Sequence, residues 1–280
     1  MCRWLAYSGS PILLDELLYK PPHSLIDQSL HSQLGATTTN GDGFGVGWYT
    51  GANPGVFHSI APAWNDRNLR NLAQHIESPI FLAHIRSSTG TPVQETNCHP
   101  FRYGRWLWMH NGSIRQFHEI KRELAFAIDP ELYSSIEGST DSEMMFYLAL
   151  SFGLRDDPLG GVERMAGFVE ATAAAHGIDN ALQMTVATTD SERVWAFRYS
   201  TVRNSRSLFY STDVRTLREL YPDNQMLRHV SSESRLIVSE PFGDLPGAWN
   251  AVPEGTYGVI QEGADVMKTF APQAHYEVAA

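Results

Sequence analysis

Asn40-Gly41-Asp42-Gly43-Phe44-Gly45-Val46-Gly47-Trp48 sets glycine against Phe44, Val46 and Trp48 in alternation. Alternate residues of a strand face opposite ways, so glycine occupies one whole face here and leaves room for another backbone or a ligand to approach. The spacing fits neither the dinucleotide fingerprint nor the phosphate loop, because the third Gly falls in the wrong place and no Lys-Ser/Thr follows. Nucleotide binding is therefore not expected.

Before this stretch, Arg3-Trp4-Leu5-Ala6-Tyr7 alternates ahead of Ser8-Gly9-Ser10-Pro11, which predicts a strand ending in a turn with Cys2 at its free end. Leu13 to Lys20 has helical spacing and stops at Pro21-Pro22, and His23 to Ser29 is a polar connection without a class of its own. After it, Asn65 is expected to cap a helix carrying Leu69, Leu72, Ala73 and Ile76. Ile80 to Arg86 then reads as a strand with His84 and Arg86 on one face. Arg105 to His110 alternates too, with Trp106, Trp108 and His110 on one side, Leu107 and Met109 on the other, and a turn at Asn111-Gly112.

Phe117, Ile120 and Leu124 predict a helix ended by Asp129-Pro130, and Thr140-Asp141-Ser142-Glu143 is a capping box that puts Asp141 in the first turn of the next. A carboxylate there stays ionised readily beside the positive end of the helix dipole. Asp157-Pro158 starts a third helix with Val162, Met165, Ala166 and Val169 inward. From Leu182 the pattern is strands: to Thr188, then Arg193 to Tyr199 after a hairpin, Ser207 to Ser211, Arg235 to Ser239 and Thr256 to Gln261. No linker marks a boundary, so residues 1–280 are expected to form a single α+β or layered domain, with 264–280 as a loose tail.

A hydrophobic fraction of 42% and a charged fraction of 19% describe a chain that buries a full core. The net charge of -10, without a Lys/Arg cluster, argues against nucleic acid as a partner. No apolar run is long enough to span a bilayer, and Ser8, Gly9, Pro11 and Asp15 interrupt any leader-like start, so no membrane association is expected. Two cysteines, Cys2 and Cys98, make no disulfide framework, and a reduced cytoplasmic location is expected. His99-Pro100 after Cys98 lacks a second Cys or His at zinc spacing, so neither a metal nor another cofactor is expected.

Cysteine is small enough for an initiator methionine to be cut away, which would leave Cys2 with a thiol and a free α-amine on one residue. Such groups titrate near ~8.5 and ~8 in model compounds, so the amine can serve the thiol as its base in acyl transfer. Each other candidate also has a purely structural reading: Arg86 as a paired cation, His84 as a core imidazole, Asn111-Gly112 as a turn, and Asp141 as a helix-start carboxylate.

In order and identity these motifs resemble the class II glutamine amidotransferases, a branch of the N-terminal-nucleophile hydrolases. Met1-Cys2-Arg3 is similar to the family's processed start, Asn40 to Gly47 to its glycine-rich strand, and Ala83-His84-Ile85-Arg86-Ser87-Ser88-Thr89-Gly90 to its substrate-carboxylate segment. Asn97-Cys98-His99-Pro100 follows, His110-Asn111-Gly112 resembles the oxyanion segment, and Ser139 to Glu143 the amine-binding one. The likeness is strongest from residue 1 to about 150, and Pro21 to Ser29 draws the chain toward free-standing, glutaminase-like members. Ser87 stands where the sugar-phosphate amidotransferases carry tryptophan, which separates their loop closure from this chain.

The resemblance implies a four-layer αββα sandwich, with two antiparallel sheets stacked between helical layers. It implies that Cys2 attacks the side-chain amide of glutamine or a γ-glutamyl compound, that Asn111 and Gly112 hold the oxyanion, and that water releases glutamate plus ammonia or an amine. Arg86 and Asp141, with His84 and His110, would bind the substrate's head group. A synthase or peptidase partner subunit is allowed for, since the strands up to about residue 261 are expected to complete the sandwich itself. A cysteine acylase of the same superfamily and a catalytically silent γ-glutamyl-binding subunit are the rival readings.

Overall fold

The computed structural model describes residues 2–35, 38–88, 90–224, 227–228, 230–261 and 264–273 of the 280. Thirteen strands in it form two antiparallel sheets. The seven-stranded sheet contains β1 (Arg3–Leu13), β2 (Phe44–Tyr49), β3 (Pro54–Ser59), β4 (Glu77–Ile85), β9 (Phe209–Ser211), β10 (Arg235–Val238) and β11 (Trp249–Ala251), in the order β11-β9-β10-β1-β4-β2-β3. The six-stranded sheet contains β5 (Phe101–Tyr103), β6 (Trp106–Ile114), β7 (Leu182–Thr189), β8 (Val194–Ser200), β12 (Thr256–Gln261) and β13 (Ala264–Thr269), in the order β13-β12-β8-β7-β6-β5.

Period-two patterning puts the sheets face to face. Trp4, Ala6, Ile80 and Leu82 from one sheet pack against Leu107, Met109, Ala187 and Ala196 from the other. The opposite face of the first sheet, with Leu5, Phe44, Val46 and Phe81, is covered by α1 (Asp15–Leu18), α2 (Leu25–Leu30) and α3 (Arg67–Ala73). The outer face of the second, with Trp106, Trp108, Met184 and Phe197, is covered by α4 (Phe117–Phe126), α5 (Pro130–Tyr133), α6 (Asp141–Ser151) and α7 (Pro158–Ala175). α8 (Val214–Leu220) lies apart, in a small cluster with Leu227 and Ala248. The chain thus has the expected helix–sheet–sheet–helix layering.

The glycine face of β2 packs directly against the other layer. A Cβ on Gly45 would lie 2.2 Å from the His99 carbonyl oxygen, and one on Gly47 would lie 2.8 Å from both Leu107 and Pro100. The room left by the missing side chains is taken by the facing backbone and its neighbours.

Several local expectations differ from the fold. Ser8-Gly9-Ser10-Pro11 is not a turn; β1 runs on to Leu13, with its pairing to β4 shifted between Ser8 and Ile12. The irregularity absorbs these residues, and the Tyr7 hydroxyl donates to the Ser10 carbonyl across it at 2.6 Å. Only Asp15–Leu18 of the following run is helical. The unclassified polar connection forms α2, with Ser24 and Asp27 as a reciprocal capping box. Asp66, not Asn65, caps α3 by accepting from Leu69 N. Asn111-Gly112 is not a turn either: β6 continues through it to Ile114, paired with β7 throughout. Of the presumed tail, Ala264–Thr269 is the edge strand paired with β12, and residues 274–280 lie outside the described ones.

The start of β1 is anchored in the interior. Arg3 and Glu240 are both buried, with Arg3 Nε 2.7 Å from Glu240 Oε2. Arg3 also donates to the Cys2 carbonyl at 3.0 Å and to Ser32 Oγ. Glu240 accepts from the backbone N–H groups of Gln33 and Leu34 at 2.8 and 2.9 Å, and His23 Nε2 lies 2.5 Å from its Oε1. The pair is therefore surrounded by hydrogen bonds, the condition under which a buried ion pair is tolerated.

Because the Gly45 contact is with backbone, Gly45→Ala is expected to destabilise the fold by about 1–3 kcal/mol. Gly51→Ala, where an added Cβ meets nothing within 4 Å, should stay within about 0.5 kcal/mol of the parent. Urea unfolding of the two variants checks this; equal midpoints would refute the close-packing account.

Candidate active site

Strand parity brings the candidate residues together. Cys2 directly precedes β1 on the side of Trp4 and Ala6, which face the other sheet. Asn111 extends the row Leu107, Met109 on β6, which faces back. The two meet at one end of the sandwich, where Asn111 Nδ2 donates to the Cys2 carbonyl at 3.0 Å. A cleft of about 470 Å³ opens there, lined by Cys2, Arg86, His110, Asn111, Gly112 and Asp141 among others.

The Cys2 thiol is partly buried and lies against one peptide unit. Its Sγ accepts from Ser87 N at 3.4 Å and is 3.6 Å from the Ser87 carbonyl. Burial pushes the thiol pKa up, opposed by the Ser87 N–H and by the charges of Arg86 and Arg3. Such a thiol is protonated at neutral pH, so its use as a nucleophile requires a base within reach.

Arg86 follows β4 and is 3% exposed, yet no carboxylate pairs with it among the described residues. Its guanidinium donates to Thr91 Oγ1 at 2.7 Å, Ser88 Oγ at 3.2 Å and the Asp42 carbonyl at 3.4 Å. The Asp42 carboxylate is occupied by Ser88 N at 2.7 Å. A buried cation held by neutral acceptors is a ready partner for an incoming carboxylate.

Asp141 stands at the first position of α6, as the sequence predicted. Its Oδ2 accepts from Ile114 N and its Oδ1 from Ser142 N, both at 2.8 Å. One N–H on each oxygen fixes the carboxylate and leaves lone pairs for a cation in the cleft. The capping box is incomplete: Thr140 Oγ1 accepts from Glu143 N, but the Glu143 carboxylate turns to Glu137 N and Gly138 N instead. It thereby braces the loop before the helix. Asn97 ties that loop to the Arg86 side, accepting from Ser139 N at 2.8 Å and donating to the Pro92 carbonyl at 2.9 Å.

Gly112 lines the cleft, and a Cβ there would fall 1.9 Å from the Gln183 carbonyl oxygen, so no larger residue fits. His110 also lines it but points toward the helical layer, with Nδ1 2.8 Å from Ser142 Oγ and Nε2 3.3 Å from the Gln183 carbonyl. His84 is fully buried behind the cleft and not on its wall. Its ring lies 4.2 Å from that of His99, tilted by 32°, and neither imidazole has a hydrogen-bond partner at ordinary distance. Burial, with Arg86 and His110 nearby, lowers the His84 pKa to about 3; burial and the His84 charge hold His99 well below its usual value. Burial lowers His110 as well, opposed by Asp141.

Asp42, Thr91, Asn97, Ser142 and Arg206 were not singled out from the sequence, and Ser87 was noted only for the tryptophan it replaces, not for the peptide contact it makes with the Cys2 thiol. Those other than Arg206 lie inside or beside quoted motifs, but act through backbone groups or as second partners, which spacing does not display. Arg206 lies in a loop with no motif at all.

A family profile described as class-II glutamine amidotransferases matches residues 23–279. The probable glutamine amidotransferase DUG3 of Saccharomyces cerevisiae is 35% identical over 94% of this chain and 82% of its own. A gamma-glutamyl-hercynylcysteine sulfoxide hydrolase of Mycolicibacterium smegmatis is 28% identical over 91% of this chain and 93% of its own. Among solved structures, a glutamine aminotransferase class-II domain protein from Silicibacter pomeroyi gives a TM-score of 0.74 at 31% identity, covering 97% of this chain and 100% of that one. The glutamine phosphoribosylpyrophosphate amidotransferase of B. subtilis gives 0.67 at 12% identity, over 97% of this chain and 50% of that one, and shares the fold.

The histidine pair makes stability depend on pH. An unfolded imidazole takes up a proton near pH 6.5, while buried His84 does so only near pH 3. The folded state is therefore penalised as pH falls through that window, by about 1.4 kcal/mol per pH unit for each such group. Unfolding free energy measured between pH 7 and 5 should decline accordingly, and a flat profile would contradict neutral, buried imidazoles.

Proposed function

The chain belongs to the class II glutamine amidotransferases, and on that premise we propose that it hydrolyses a γ-glutamyl amide bond, with Cys2 as nucleophile once Met1 is removed. The observation that carries the reading is a thiol at the mouth of a cleft whose walls offer a guanidinium without a carboxylate partner and a fixed carboxylate. Arg86 binds the substrate α-carboxylate and Asp141 its α-ammonium, which together select an amino-acid head group.

Among the described residues the Cys2 sulfur bonds only to the Ser87 peptide, so the base is the α-amine of Cys2 itself. It takes the thiol proton as sulfur bonds to the γ-carbonyl carbon. The negative oxygen is held by the second hydrogen of the Asn111 amide, the first being on the Cys2 carbonyl, and by Gly112 N–H. Each such donor is worth on the order of 3 kcal/mol. The C–N bond then breaks, the leaving amine takes the proton, and a γ-glutamyl thioester remains. Water, deprotonated by the same amine, cleaves it to glutamate and restores the thiol. His84 and His110, held neutral, support the two walls from behind rather than exchanging protons with substrate.

The chain works as one glutaminase-type unit in the cytoplasm, either unaided or as the amide-cleaving subunit of a synthase or peptidase. A relative named as a γ-glutamyl hydrolase over nearly its whole length favours direct hydrolysis. The charged walls count against an acylase for apolar acyl groups.

Glutamate release from glutamine and a γ-glutamyl dipeptide tests the reading. Arg86→Lys keeps charge but loses the fork, and should lower kcat/KM by about ten- to a hundredfold, with Asp141→Asn also damaging. Asn111→Ala should lower kcat by about a hundredfold or more, with little change in KM. Unaltered kinetics in the Arg86 and Asp141 variants would overturn the head-group assignment.

A further inference from the structure

Arg206 adds a second cation to the cleft that the reaction above does not use. It is partly buried, and its Nε is enclosed without a hydrogen-bond partner. No carboxylate pairs with its guanidinium among the described residues. Arg3 lies close enough to feel its charge, but Arg3 is already matched to Glu240. A guanidinium on the cleft wall without a carboxylate partner among the described residues attracts an anion that enters the cleft.

Topology fixes the side from which Arg206 approaches. The next residue, Ser207, donates to the Ser239 carbonyl at 2.8 Å, and Ser239 is joined to Trp4 in both directions, at 2.9 and 3.0 Å. Ser239 follows β10, which flanks β1 on the side away from β4. Arg86 follows β4. The two arginines therefore flank Cys2 from opposite sides. With a head group on Arg86 and Asp141 and its γ-carbonyl over Cys2, the leaving group must extend away from Arg86, toward Arg206.

The loop presenting Arg206 is braced in advance. The Glu254 carboxylate accepts from Ser200 Oγ at 3.0 Å, from Ser205 N at 3.2 Å and from Ser205 Oγ, and Arg198 Nε donates to Ser205 Oγ at 3.0 Å. A preorganised cation loses little freedom on binding. We propose that Arg206 is a specificity-determining residue that binds a carboxylate on the leaving group, so that the preferred substrates are γ-glutamyl peptides rather than glutamine. This rests on the proposed γ-glutamyl hydrolysis. Ammonia leaves glutamine with nothing for Arg206 to hold; the amine leaving a peptide carries a carboxylate.

The probes are γ-glutamylglycine, its C-terminal amide, and glutamine, which share the head group. Wild-type protein should favour the free acid over the amide by about tenfold or more in kcat/KM, mostly through KM. Arg206→Met should bring the ratio close to one, and Arg206→Lys should restore part of it, with unchanged thermal unfolding showing that both variants fold. A wild-type ratio near one, or a ratio that survives in Arg206→Met, overturns the assignment. Release of no glutamate from any probe would instead overturn the hydrolytic reading. Calorimetry then decides on Arg206 independently. Cys2→Ala protein should bind γ-glutamylglycine about tenfold tighter than its amide and lose that difference with Arg206→Met, while equal affinities or no binding refute the role.

Discussion

Contact between two backbones without an intervening side chain governs this structure. Gly45 lies against the His99 carbonyl and Gly47 against the Leu107 and Pro100 side chains, so β2 packs against the other layer and the segment leading into β5 at a separation that any Cβ would prevent. Between the same two layers, Asn111 on one sheet reaches the carbonyl of Cys2 at the start of the other, at 3.0 Å. A sandwich held further apart would still bury Trp4 and Met109 between its layers, but its thiol and its amide donor would face separate surfaces. The cleft thus follows from how the layers pack, not from a loop added to them.

Charge in that cleft is arranged by what is neutralised and what is not. Arg3 is spent inside the protein on Glu240, where it holds the start of β1. Arg86 and Arg206 have no carboxylate of their own among the described residues, and Asp141 is tied to backbone N–H groups rather than to a cation. A site left with two unmatched cations and one unmatched anion is complementary to a zwitterionic head group extended by a further carboxylate. The buried imidazoles of His84 and His99 add no charge at neutral pH, because their surroundings keep protons off them.

Much of this was legible in the sequence. Alternation assigned the faces of Trp106, Trp108, Leu107 and Met109 correctly, and the order of the motifs identified the family. Alternation does not report depth, however, and His84 shares a strand with Leu82 while lying behind the wall rather than on it. Gly9 and Pro11 look like a turn and prove to be an irregularity in a strand, because pairing with β4 resumes beyond them. Asn111-Gly112 looks like a turn for the same reason; cross-strand pairing with Thr185 and Met184 carries the chain straight through. Arg206 had no local signal at all, since its position depends on Ser239 and Glu254, distant in sequence.

The central claim is that Cys2 reacts and that its own amine must be free for it to do so. Intact-mass measurement of purified, active protein, before and after treatment with an electrophilic glutamine analogue, tests both parts. The account predicts a mass lacking Met1 and a single adduct that maps to Cys2, with Cys98, buried and with its thiol pushed up to about 11, left unmodified. Active protein that retains Met1, or an adduct on Cys98 in place of Cys2, would contradict it.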